Sequence, residues 1–418
     1  MLKAWLERLR GNGARGAPAA PTLALAGSGR VFVRRQQAAA RGPDRFDAPL
    51  CLGVAALILL GVVMVYSESI SLADSPRYHV SPTHFLVRHL IALSIAFACA
   101  VMAFSIPLAV WQKLAPWVFV GAFVLLVIVL LPGVGKGALG AKRWIPLGFL
   151  NLQPSELMKV AGVLYAADFT VRKQDMMGSV AKGFLPMAFV MAMVGGLLLW
   201  QPDLGAFGVI VAICMGVLFL GGVNGTLFAG IIAALSAVFA AAIWSNPWRR
   251  ERIFAYLDPW TEENALNKGY QLTHSLIAFG RGEWFGVGLG GSVEKLHYLP
   301  EAHTDFILAV IGEELGLVGV LAVVVLFYWL TKRAFEIGRQ AVALERTFAG
   351  LVAQGVGLWI GVQAFINMGV ATGLLPTKGL TLPLVSYGGS ALLATCVGFA
   401  LVLRVDFENR RLMRGGRA

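Results

Sequence analysis

Ten apolar stretches decide what this chain can fold into. They lie near 48–66, 84–105, 114–132, 155–171, 184–200, 204–221, 225–244, 306–330, 347–373 and 383–403. Each runs for about 17–27 residues, the length of a helix that crosses ~30 Å of hydrocarbon. In lipid a helix satisfies its own backbone, so runs of this length predict an all-α polytopic membrane protein with ten transmembrane helices. Composition agrees, since 57% of the 418 residues are hydrophobic and the mean hydropathy is +0.72. Only 14% are charged, against roughly 25% in a soluble domain.

The net charge of +12 would suggest nucleic acid only if the basic residues formed a patch. They collect instead in the tails and short connections, so nucleic acid is excluded as a partner. Residues 1–46, rich in Ala, Gly, Pro and Arg, read as a disordered basic tail. Residues 47–405 form the membrane domain, and 406–418 a second basic tail. Arg172, Lys173 and Lys182 mark one cytoplasmic connection, and Lys332, Arg333, Arg339 and Arg346 another. Both termini are then cytoplasmic. Cys51, Cys99, Cys214 and Cys396 each fall in an apolar stretch without metal spacing and read as packing residues. No cleavable signal precedes the first stretch.

Two outside connections oppose this charge rule. The one before the fourth stretch carries Lys136, Lys142 and Arg143, and the one before the tenth carries Lys378. An anionic group on the outer face would account for them, with lipid headgroups as the plainer alternative. The longest connection, 245–305, is also outside, and Leu272, Leu276 and Phe279 give part of it helical spacing. It reads as a loop folded over the membrane surface.

Three carboxylates follow that loop. Asp305 is expected in the first turn of an uninterrupted helix, as a general base or as a plain cap. Glu313 and Glu314 lie roughly 12–13 Å deeper at 1.5 Å per residue and are expected to pair with a cation such as Lys159. Gly312, Gly316 and Gly319 make a small-residue stripe suited to close packing. Ser155 reads as the cap of the fourth helix. Lys142 and Arg143 suit a phosphate or diphosphate. The six histidines show no zinc spacing, and the one cofactor the residues would accommodate is a divalent cation, Mg²⁺ or Mn²⁺, between Asp305 and a diphosphate.

With GAKRWIPLGFLNLQPSELMK, WQPDLG, GVGLGGSVEKLHYLPEAHTDFI and GLLPTKGLTLPLVSYGGS in this order from about 48 to 405, the chain resembles the SEDS family (shape, elongation, division and sporulation) of membrane glycosyltransferases. PEAHTDF and PTKGLTLP are similar to its FtsW-like division branch rather than its RodA-like elongation branch.

The resemblance implies a lipid II polymerase of the bacterial inner membrane, acting at the division septum on the periplasmic face. It implies Asp305 as the catalytic carboxylate, and Lys142, Arg143, Lys378 and Ser386 as contacts to substrate or diphosphate. Lys159, Glu313 and Glu314 are left a structural or coupling role. Implied partners are a class B penicillin-binding transpeptidase and other divisome membrane proteins. A lipid II flippase using Glu313, Glu314 and Lys159 as its charged path, and a non-catalytic scaffold, stay as alternatives.

Overall fold

The computed structural model describes residues 46–73, 81, 83–138, 141–148, 151–223, 225–245, 247–296, 298–377 and 379–416. The N-terminal tail as far as 45 and Lys378 lie outside these residues. Helices cover all ten apolar stretches: α1 (Ala48–Ala73), α2 (His84–Ser105), α3 (Leu108–Ile128), α4 (Pro154–Arg172), α5 (Leu185–Trp200), α6 (Leu204–Leu220) and α7 (Gly225–Trp244) come first. The long connection forms α8 (Pro247–Leu257), α9 (Glu262–Ala265) and α10 (Tyr270–Gly282). The chain closes with α11 (Ile307–Ala343), α12 (Thr347–Ala371) and α13 (Gly389–Met413). Among the described residues, seven helices are long and apolar enough to cross a membrane, and α6 is a shorter apolar one.

α4 carries Glu156, Lys159 and Asp168, yet all three are buried. It is enclosed by α3, α6 and α12, and those charges find partners inside the protein. α12 and α13 are likewise buried along most of their length. α2 and α3 instead leave Phe97, Met102 and Trp117 bare, as apolar side chains facing lipid would be. α13 continues through the segment expected as a free tail and ends only at Met413.

Two features depart from an all-α reading. The connection between α3 and α4 folds as a three-stranded antiparallel sheet, β1 (Lys136–Ala138), β2 (Ala141–Pro146) and β3 (Asn151–Leu152). Its strands are too short to show in an apolar pattern. The second is in α11, which is not continuous: Gly316 has φ 67° and ψ −167° in its middle.

At that break the long connection enters the helix. Val287 N and Gly288 N donate to Glu313 O and Glu314 O at 2.9 and 3.1 Å. Leu317 N and Val318 N donate to Glu283 O and Trp284 O at 2.9 and 3.2 Å. A Cβ on Gly316 would lie 2.4 Å from Gly286 N, so only glycine admits the approach. The expected small-residue stripe therefore packs no neighbouring span at this point. Gly312 receives Phe279 of α10, and Gly316 receives the loop backbone. The helical spacing of Leu272, Leu276 and Phe279 is realised in α10, and residues 283–288 of the connection enter the break in α11.

Candidate functional site

Asp305 lies two residues before α11 rather than in its first turn. It does not cap the helix: Phe306 holds the cap position, and no side chain bonds there. The turn is built by one carbonyl, Glu301 O, which accepts from the amides of Thr304, Asp305 and Phe306 at 3.1–3.3 Å. Glu301 takes a left-handed φ of 57° to do so, a conformation uncommon for a non-glycine residue. Asn367 of α12 fixes the turn from the other side, donating to Asp305 O at 2.8 Å and Leu380 O at 2.6 Å. The Asp305 carboxylate itself has no hydrogen-bond or ion-pair partner among the described residues. A Cβ on Gly379 would stand 3.1 Å from Asp305 Oδ2, so the absence of a side chain there leaves the carboxylate its room.

Asp305 opens on a cavity of about 430 Å³. Arg88, Arg143, Trp144, Asp203, Glu301 and His303 share its wall, with Tyr387 and Ser390 at the start of α13. Burial raises the Asp305 pKa to about 7; Glu301 and Asp203 push the same way, and Arg143 opposes them. Burial also holds His303 below the ordinary imidazole value, against the pull of Glu301. Asp305 is thus poised to exchange a proton near neutral pH, the property a general base needs.

The strand β2 sends alternate side chains to opposite faces. Arg143 faces the cavity and is held by Gln201 O at 3.2 Å and by Pro202 O. Lys142 is exposed and outside the lining. Ser386 is also outside it. Its hydroxyl donates to Thr304 O at 2.5 Å and accepts from Leu382 N at 2.8 Å, tying the last connection to the Asp305 turn. Lys378 adjoins Gly379, a lining residue, but is itself outside the described residues.

Three expectations fail by partner. Lys159 does not pair with Glu313 or Glu314: its ammonium lies 2.6 Å from Glu156 Oε1 and 2.9 Å from Gln363 Oε1. Glu313 pairs with Arg281 at 3.0 Å, and Glu314 with Lys295 at 2.6 Å. Ser155 does not cap α4, since Gln153 holds that position and Ser155 Oγ donates to Asp203 Oδ2 at 3.0 Å. Glu156 is one turn before Lys159 on the same helix, whereas Gln363, Arg281, Lys295 and Asp203 come from segments that only the fold brings close.

The matching family is that of the cell cycle proteins FtsW, RodA and SpoVE, over residues 48–411. The chain belongs to this family. It is 63% identical to a probable peptidoglycan glycosyltransferase FtsW of Burkholderia thailandensis, over 99% of this chain and 92% of that one. A protein of the same name from Polynucleobacter necessarius is 60% identical over 89% and 88%. Among solved structures, a chain from work on the structural coordination of polymerization and crosslinking by a peptidoglycan synthase complex superposes with a TM-score of 0.70. It is 30% identical, with 87% of this chain and 98% of that one covered. The rod shape determining protein RodA of Thermus thermophilus gives 0.60 at 28% identity, over 87% and 97%.

Sequence reasoning passed over Arg88, Asp203 and Glu301. Arg88 had a readable signal, because a cation near the outer end of the second stretch opposes the charge rule as Lys142 and Arg143 do. Asp203 lies in the motif WQPDLG and also caps α6, where its Oδ1 accepts from Ala206 N at 3.3 Å. His89 Nε2 and Glu156 Oε2 are buried on the cavity wall without a partner among the described residues.

Proposed function

We propose that the chain polymerises lipid II into glycan strands for septal cell-wall synthesis. It does so as a ten-span protein of the cytoplasmic membrane, with both termini inside and the Asp305 cavity at the outer face. The observation that carries the reading is one unpaired carboxylate, raised to about 7, in a cavity that also holds two arginines. Asp305 takes the proton from the 4-hydroxyl of the acceptor's N-acetylglucosamine as its oxygen attacks the anomeric carbon of the donor's N-acetylmuramic acid. The bond to undecaprenyl diphosphate breaks, and a single inverting displacement gives the β-1,4 link. Charge develops on the leaving diphosphate, where Arg143 stabilises it, while Arg88 helps to bind the substrate.

Among the described residues no three metal-binding side chains gather in one place. A divalent cation would have Asp305 as its protein ligand and draw its other ligands from the diphosphate and water. No step here depends on one. A class B transpeptidase is the partner suited to crosslink the strands. The flippase reading loses its path, because Lys159 is tied to Glu156 and Gln363, and Glu313 and Glu314 to the long connection.

The test is polymerisation of labelled lipid II by the purified protein, resolved on gels. Strands from the wild type and none from folded Asp305→Asn are expected. Strands at the wild-type rate from that variant would sink the assignment. Headgroup translocation into liposomes without any polymer would replace the enzyme with a transporter.

A further inference from the structure

Glu313 and Glu314 are fully buried and outside the cavity lining, and both carboxylates are bonded to the long connection. Glu313 accepts from Arg281 Nη1 at 3.0 Å, Ser292 Oγ at 2.5 Å, Val293 N at 2.9 Å and Glu294 N at 3.3 Å. Glu314 accepts from Ser67 Oγ at 2.8 Å and Lys295 Nζ at 2.6 Å, and that ammonium also donates to Ser67 Oγ at 2.7 Å. Two adjacent side chains therefore tie residues 281–295 and α1 to the break in α11.

The backbone bonds at the break show what the tie opposes. In an unbroken helix Leu317 N and Val318 N would donate to Glu313 O and Glu314 O, four residues back. Here those two carbonyls are taken by Val287 N and Gly288 N, and the two amides by Glu283 O and Trp284 O. The inserted loop exchanges two helix bonds for four bonds of its own. The four backbone groups of α11 itself are satisfied in either arrangement, so α11 has two closed solutions, and the loop, held by the Glu313 and Glu314 side chains, selects the broken one. The half before the break, Ile307–Leu315, begins two residues after Asp305 and is short.

The geometry points to Glu313 and Glu314 as positioning residues for Asp305, holding the loop in the break so that the half-helix fixes the carboxylate against Gly379 and the cavity. This rests on the reading of Asp305 as the base. Without the two carboxylates the helix bonds re-form, and the segment leading into Asp305 turns with them. Gly316→Ala reaches the same state by another route, since alanine fits a continuous helix but not the left-handed φ or the 2.4 Å approach of Gly286 N.

The experiment compares the full-length wild type, Glu314→Gln, Glu313→Gln and Gly316→Ala. It measures hydrogen exchange at 283–288 and the pH profile of lipid II polymerisation. Each variant is expected to lose protection at Val287 and Gly288. kcat should fall about a hundredfold, as misplacement by an ångström does, with KM little changed. The midpoint of the pH profile should move from about 7 toward the ordinary carboxylate value as the cavity wets. Glu301, Asp203 and Arg143 face Asp305 and stay in place, so the midpoint reports where Asp305 sits and does not depend on how much protein is folded.

Unchanged kcat and midpoint in variants whose loop has lost protection would overturn the inference. So would a loop that stays protected in all of them. If Glu314→Gln does not fold, Gly316→Ala decides alone. Asp305→Ala, run alongside, separates the two failures: activity there removes the base, whereas an inactive Asp305→Ala beside a wild-type Glu314→Gln removes only the latch.

Discussion

The two ends of α13 treat charge in opposite ways. Its first residues, Gly389 to Ala391, line the Asp305 cavity, and its last turns carry Arg404 to Arg410, roughly 20–30 Å away at 1.5 Å per residue. At the far end the buried carboxylates are matched. Asp47 meets Arg333 at 2.6 Å, Asp406 meets Arg410 at 2.7 Å, and Glu408 meets Arg404 at 2.7 Å and also Arg346. At the cavity end Asp305, Glu301 and Arg88 have no ion-pair partner among the described residues, and Arg143 is held by carbonyls. The chain thus has the means to neutralise buried charge, at the cavity wall too, where Glu156 meets Lys159, and leaves Asp305 out. Leaving a carboxylate unpaired in a poor dielectric raises its pKa and costs stability, and such sites cluster where chemistry is done.

The widest separation between the ends comes from removing one carboxylate at each. Asp305→Asn should lower polymerisation by about 10²–10⁴-fold, the usual share of a general base, with the melting temperature held or raised. Glu408→Ala should do the reverse. It strands Arg404 and Arg346 and removes the acceptor of Leu108 N, at a cost of about 3–5 kcal/mol. The rate per folded molecule should stay at the wild-type value. Thermal unfolding in detergent beside the gel assay checks both, and a rate lost with Glu408 would blur the contrast.

Acidity gives the next effect. The folded Asp305 value, about 7, lies above its unfolded value of 3.8. The group therefore disfavours the folded state increasingly as pH rises through that window, and it ionises only near neutrality. Polymerisation should fall about tenfold per unit below pH 7 and level off above it; a flat profile from pH 5 to 8 would remove Asp305 as the titrating base. Arg143→Lys should cost about 1.5–3 kcal/mol in kcat/KM by losing the two carbonyl contacts, with the fold intact. The smallest change is expected from Arg88→Ala, about tenfold in KM with kcat nearly kept. A larger fall in kcat than in affinity would place Arg88 on the leaving group instead.

Hydrophobic run length determined much of this protein by itself. A helix covers every apolar stretch because the backbone of such a run has no other partner in lipid. The cations that defied the charge rule led to Arg143, and the motif resemblance led to Asp305. Tertiary structure decided which charges meet. Lys159 was assigned to Glu313 or Glu314 by depth, but ion pairing depends on distances of a few ångströms, which depth does not supply. Ser386, Ser155 and Asp203 were spent on tying connections together, and only packing could show that. The break at Gly316 was least legible of all. Its residues read as good helix, and the loop that replaces the helix bonds comes from 26–34 residues earlier in the chain, beyond the reach of local periodicity.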